Sequence, residues 1–267
     1  MKNRAPIGVF DSGLGGLTVF RALARRMPEE SLIYFGDTAH VPYGSKSPEA
    51  IARFSTTVAR FLASRGIKLL VVACNTSSAW ALPAIRRVVR IPVVGVIDPG
   101  ARAAMAVSRG ERVGVIGTEA TIRSNAYPKA IAVISKTART LSQACPLFVP
   151  LVEEGWWDGS VVDAVTRQYM TPLLKGRVDT LILGCTHYPY LKPVLARIMG
   201  PSVRLIDSAE ETAAETEKIL SELSLRAPRG RAGCRKFYAS DAPERFKRLS
   251  RRMLGREAGR VQLHPFD

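Results

Sequence analysis

A chain of 267 residues with 46% apolar side chains is long enough for two globular domains and reads as a soluble protein. No apolar run reaches the length of a membrane span, and the early run IGVF is stopped at once by Asp11-Ser12-Gly13, so neither a membrane protein nor a signal peptide is predicted. Four cysteines (Cys74, Cys145, Cys185 and Cys234) without CxxC spacing argue against a disulfide framework and predict a reducing, cytoplasmic setting.

In chain order, short β-branched runs alternate with helix-like segments. The runs are IGVF (7–10), SLIYF (31–35), LLVVA (69–73), VVGVI (93–97), VGVIG (113–117), LFVPL (147–151), TLILG (180–184) and VRLID (203–207). One helix is sharply marked: Ser47 is its N-cap and Pro48 its first residue, Ile51, Phe54, Val58 and Phe61 share a face, and Gly66 stops it. This alternation predicts an α/β fold of mostly parallel sheets flanked by helices. In such sheets ligands bind beyond the carboxyl ends of the strands. Asp11, Cys74, Thr118 and Cys185 all fall there.

The pattern occurs twice. IGVFDSG at 7–13 matches VGVIGTE at 113–119, LLVVACNTSSA matches TLILGCTHYPY, and VGVIDPG, ending at Gly100, matches VRLIDSA, ending at Ala209. Turn residues agree as well as apolar ones, which favours duplication over convergence of ordinary strand ends. The first copy ends near residue 98 and the second near 207. Residues 1–98 with 208–267 are therefore expected to form one domain and 99–207 a pseudo-symmetric second, with the active site between them.

Cys74 and Cys185 occupy the same place in the two copies. A lone buried cysteine usually fills core space, but this matched pair is followed by Asn75-Thr76 and Thr186-His187, the polar residues a cleft requires. Two thiols facing each other can take a proton from one side of a carbon and return one to the other side. A free thiol is only about 3% ionised at pH 7; backbone N–H groups at a strand-to-helix turn are expected to lower its pKa toward that of a useful base. Other chemistries fit less well. Apart from Cys185-x-His187 the thiols lack close metal-ligand spacing, DSGLGGL is neither GxGxxG nor a phosphate loop, and no lysine stands ready for a pyridoxal Schiff base. A cysteine hydrolase would leave the second thiol redundant. Neither a cofactor nor a metal is expected.

The segments IGVFDSGLGGLTV, YFGDTAHVPYG, VVACNTSSA, GTEATIRSNAY, PLVEEG, LGCTHYP and LIDSA together resemble those of the cofactor-independent glutamate racemases. The resemblance spans residues 7 to 209 in the family's order and implies interconversion of L- and D-glutamate, an isomerase activity supplying D-glutamate for peptidoglycan. It implies Cys74 and Cys185 as the catalytic acid/bases, Cys74 toward D-glutamate and Cys185 toward L-glutamate. Asp11 would support Cys74, and Glu153 and His187 would support Cys185. Ser12, Tyr43, Gly44, Asn75, Thr76, Thr118, Thr121 and Thr186 would line the substrate pocket together with Asp11 and His187. An aspartate racemase is the alternative within the class.

A carbanion beside two carboxylates needs anion stabilisation. The glycines of DSGLGGL open backbone N–H groups to a carboxylate, and the hydroxyls of Ser12, Thr76, Thr118, Thr121 and Thr186 add donors. No arginine lies in the strand-end motifs, which argues against simple ion pairing. The charge of +16 is a separate matter. Residues 226–260 hold twelve Lys/Arg against three Asp/Glu. Asp241 to Glu244 reads as a capping box, followed by the apolar stripe Phe246, Leu249, Met253 and Leu254. Arg245, Lys247, Arg248, Arg251 and Arg252 are then expected on a solvated outer face. Contact of this segment with nucleic acid or an acidic protein is the alternative use, and a basic binding module on a racemase scaffold the rival from another class. A homodimer is expected, since a subunit contact can control opening of the cleft.

Overall fold

The computed structural model describes residues 2–255 and 258–266. Its first stretch runs β1 (Ile7–Asp11), α1 (Leu17–Arg26), β2 (Leu32–Gly36), α2 (Pro48–Ser64), β3 (Leu69–Val72), α3 (Asn75–Trp80), α4 (Leu82–Val88) and β4 (Val93–Gly95). The chain continues through α5 (Ile97–Val107), β5 (Arg112–Gly117), α6 (Glu119–Arg123), α7 (Ala126–Ile134), β6 (Arg139–Ala144), α8 (Phe148–Glu153), α9 (Ser160–Lys175), β7 (Thr180–Gly184), α10 (Lys192–Met199) and β8 (Arg204–Ile206). It closes with α11 (Ala209–Glu222), β9 (Arg235–Ala239), α12 (Pro243–Leu254) and β10 (Val261–Leu263).

These strands form two parallel sheets, ordered β10-β9-β2-β1-β3-β4 and β6-β5-β7-β8. The run β2-β1-β3-β4 has the same order as β6-β5-β7-β8, so the internal repeat is also a repeat of topology. Strands β1, β2, β3 and β7 are buried at every residue, as expected where helices cover both faces of a parallel sheet. Helix α2 starts and stops where its signals lie: the Ser47 hydroxyl accepts from Ala50 N–H, and Gly66 has φ +71°.

Two expected elements differ. LFVPL is not a strand; it forms most of α8, with Phe148, Val149 and Val152 buried and Pro150 in the first turn, where its missing N–H costs nothing. A short apolar run has no period that separates a strand from a buried helix. The strand that pairs with β5 is instead β6, RTLSQA. It is an edge strand with no fully buried residue, so it lacks the apolar signature. VVGVI is also shorter than expected, a strand only over Val93–Gly95.

After β8 the chain returns to the first sheet. Lys68 pins this return, bonding Glu30 (2.6 Å) and the carbonyls of Asn3 and Leu225 (2.7 Å each). Helix α12 then packs by Phe246 against Tyr34 and Phe237, with centroids 5.8 and 6.3 Å apart. Full burial of such a ring contributes about 1.5–3 kcal/mol. The expected capping box does not form. Pro243 disfavours a helical residue before it, so Ala242 takes a left-handed conformation (φ 45°) and Asp241 accepts from Ala242 N–H. Nor is the basic face wholly solvated: Arg252 donates to Gly155 O (3.2 Å) and lies over the Trp157 ring, while Arg245 reaches Glu153 and Glu154. Both contacts join α12 to the turn that follows α8. No helix among the described residues is long and apolar enough to cross a membrane.

Candidate active site

The carboxyl ends of the two sheets meet. Asp11 ends β1, Cys74 follows β3, Thr118 follows β5 and Cys185 follows β7. Both thiols are nearly inaccessible, 5% and 7% exposed, and direct hydrogen bonds cross the cleft around them. Thr186 Oγ1 donates to Asp11 Oδ1 at 3.2 Å. Thr76 shares protons with Thr118 (2.9 Å) and Thr121 (3.1 Å), which are themselves 3.0 Å apart. Tyr127 OH donates to Asn75 Oδ1 at 2.7 Å, and Trp80 Nε1 to Ala120 O at 2.8 Å. The cleft is closed, and the pocket hydroxyls satisfy one another.

Two glycines permit this closure. A Cβ on Gly15 would lie 2.4 Å from Thr186 Oγ1 and 2.6 Å from His187 Nδ1; one on Gly44 would lie 2.4 Å from Thr118 Cβ. DSGLGGL therefore makes room for the opposite β7 turn as well as for any ligand. Loop 37–45 is fixed from behind by the buried Asp37, which accepts from the hydroxyls of Tyr43 and Ser240 and bonds His40. Sequence reasoning passed over Asp37, although it follows β2 as Asp11 ends β1.

The thiols have unlike surroundings. Cys74 donates to Ser12 Oγ and accepts from Ser77 N–H, each at 3.5 Å. Donation to the sulfur from the Ser77 N–H, and from the Ser12 hydroxyl when it turns toward the sulfur, favours the thiolate, yet burial and the nearby Asp11 charge outweigh them and push Cys74 up to about 11. The expectation of a turn-lowered pKa fails here because desolvation of a buried anion exceeds what two long hydrogen bonds return. Cys74 is thus a thiol at neutral pH. Asp11 accepts from Gly13 N–H and Thr186, and burial raises its own pKa against those bonds and the charge of His187. It acts on Cys74 through charge.

On the other side, Cys185 Sγ lies 3.8 Å from His187 Nδ1, and His187 Nε2 donates to Glu153 Oε1 at 3.2 Å. Burial alone would depress the imidazole, but its bonds to Cys185 and Glu153 prevail and raise it to about 10. Glu153 stays below the usual carboxylate range: burial opposes ionisation, and the His187 hydrogen bond and charge, with Arg245 behind them, overcome it. One arm therefore presents a protonated thiol, the other a sulfur beside an imidazolium–carboxylate pair. That asymmetry suits a site that needs one proton donor and one acceptor together.

Every residue singled out from the sequence lies in this region: Asp11, Ser12, Cys74, Asn75 and Thr76 on the β1 and β3 turns, and Tyr43 and Gly44 on the loop after β2. Thr118 caps α6 and Thr121 lies within it, Glu153 ends α8, and Cys185, Thr186 and His187 follow β7. Tyr127 and Arg245 were missed. Tyr127 reads as core, and Arg245 reads as one basic residue among many.

Two matched α/β halves that close over a pair of strand-end thiols define a racemase-type proton-transfer protein. The chain belongs to the Asp/Glu/Hydantoin racemase family, whose model matches residues 7–216. It is 54% identical over 255 residues to a glutamate racemase of Geobacter metallireducens, covering 96% of this chain and 94% of that one. Among solved structures, a glutamate racemase of Bacillus anthracis superposes with TM-score 0.94 at 40% identity, covering 99% and 98% of the two chains. A Francisella tularensis glutamate racemase in complex with D-glutamate superposes with TM-score 0.93 at 36% identity, covering 99% of each.

Proposed function

We propose that the protein interconverts L- and D-glutamate by a two-base mechanism, supplying D-glutamate for the cell wall. The observation that carries this reading is the equivalent placement of Cys74 and Cys185 after the matched strands β3 and β7, at the meeting of the two sheets. The units are residues 1–98 with 208–267, and 99–207.

From L-glutamate, Cys185 takes the α-proton as a thiolate whose own proton has passed to His187, and Glu153 holds the imidazolium. Cys74, a thiol at neutral pH, protonates the opposite face. From D-glutamate the roles exchange: Cys74 must become the thiolate, and its burial beside Asp11 makes that state costly in the ligand-free protein. The hydroxyls of Thr76, Thr118, Thr121 and Thr186, now bonded to one another or to Asp11, exchange those bonds for the substrate's carboxylates. Ser12, Asn75, Tyr43 and Gly44 complete the pocket wall. Opening must precede binding, because both thiols are covered. A homodimer is compatible with this cycle.

Racemisation of glutamate and aspartate, measured side by side by polarimetry, tests the substrate. Turnover of glutamate well above that of aspartate is expected. Preference for aspartate would replace the reading by its alternative.

A further inference from the structure

Helix α12 carries Arg245, whose ion pair reaches the Cys185 arm. Arg245 Nη2 lies 3.8 Å from Glu153 Oε2 and 3.5 Å from Glu154 Oε1. Glu153 Oε1 is the atom that accepts from His187, so the two oxygens of one carboxylate are divided between the imidazole and the guanidinium. Arg245 and Glu153 also border a cavity of about 80 Å³ shared with Gly13, Val41, Asp241 and Phe246. The two partners belong to opposite halves of the molecule. Phe246, next to Arg245, is anchored against Tyr34 of β2, whereas Glu153 ends α8 beside the second sheet. The contact therefore exists only while the halves are together.

We infer that Arg245 is a positioning residue, which grips Glu153 when the cleft closes and so orients His187 against Cys185. This rests on the two-base reading above. The groups facing Glu153 are His187 from the β7 turn and Arg245 from α12, with Asp241 across the cavity and Glu154 competing for the same guanidinium. Arg245 is one of the charges that hold Glu153 ionised. Without it Glu153 takes up a proton at higher pH and loses its hold on a cationic His187, so activity falls away sooner as pH is lowered.

The side chain of Arg245 is half exposed, so the effect is modest. Arg245→Ala should lower kcat/KM about two- to fivefold and move the acidic limb of the pH profile upward, and Arg245→Lys should recover most of both. Glu154→Gln, which leaves the Glu153 contact in place, should behave like wild type. The enantiomers are equal in free energy, so kcat/KM must fall equally in both directions and isotope effects are needed to tell the arms apart. In Arg245→Ala the primary effect from 2-deuterated L-glutamate should rise, and that from 2-deuterated D-glutamate should fall. A ¹³C-NMR titration of the Glu153 carboxyl needs no turnover and should move upward in Arg245→Ala. An unmoved Glu153 titration, or isotope effects that change alike for both enantiomers, overturns the inference. A wild type that fails to racemise glutamate while the Glu153 titration still moves removes the functional reading and leaves the Arg245 grip standing.

Discussion

Replacing either Cys74 or Cys185 by alanine should abolish racemisation, a loss of at least ~10²–10⁴ for removal of one acid/base. In the proposed mechanism each thiol serves one face of the α-carbon, and neither can do the other's work. The loss should appear equally in both directions, because the equilibrium between enantiomers cannot change. Both positions are small and buried, so circular dichroism should still report a folded protein. Serine variants should also be crippled, since a hydroxyl is far too weak an acid to serve as the base. Near-normal turnover in either alanine variant would remove the two-base reading.

Gly15→Ala should be nearly as damaging without touching a reacting group. The added methyl would sit 2.4 Å from Thr186 Oγ1 and 2.8 Å from His187 Cε1. Neither neighbour yields easily: Thr186 is bonded to Asp11, and His187 is held between Cys185 and Glu153. Relief comes by moving the β7 turn away from β1, which displaces Cys185. A displacement of about 1 Å at a reacting group costs roughly 10²-fold in rate. Stability should be less affected than activity, since alanine also lowers the entropy of the unfolded chain. Racemisation rate and thermal midpoint, measured on the same preparation, check this. A variant with wild-type turnover would show that the contact is not part of the closed, active arrangement.

Much of this was legible in the sequence, for physical reasons. Parallel strands buried on both faces write themselves as continuous apolar runs, and the residues that end them make up the candidate site. Asp11, Cys74, Thr118 and Cys185 could be placed on that ground alone. The edge strand β6 was not legible, because it has no buried face to encode, and α8 was misread because five apolar residues carry no period. The Cys74 environment was misjudged in sign: the sequence displays the turn that donates hydrogen bonds, but not the burial or the Asp11 charge that outweigh them. Arg245 was hidden for a different reason. A basic residue on an amphipathic helix looks solvated until the fold brings a carboxylate from the other half to it.

Deuterium incorporation tests the central claim most directly. Starting from either pure enantiomer in D₂O, the product of the first turnovers should carry deuterium at Cα, since in the proposed mechanism the thiol that completes the inversion is not the one that took the original proton. NMR or mass spectrometry of the separated enantiomers reads this at low conversion. Inversion with full retention of the original hydrogen would mean that one base carries the proton across, and would contradict the opposed-thiol site.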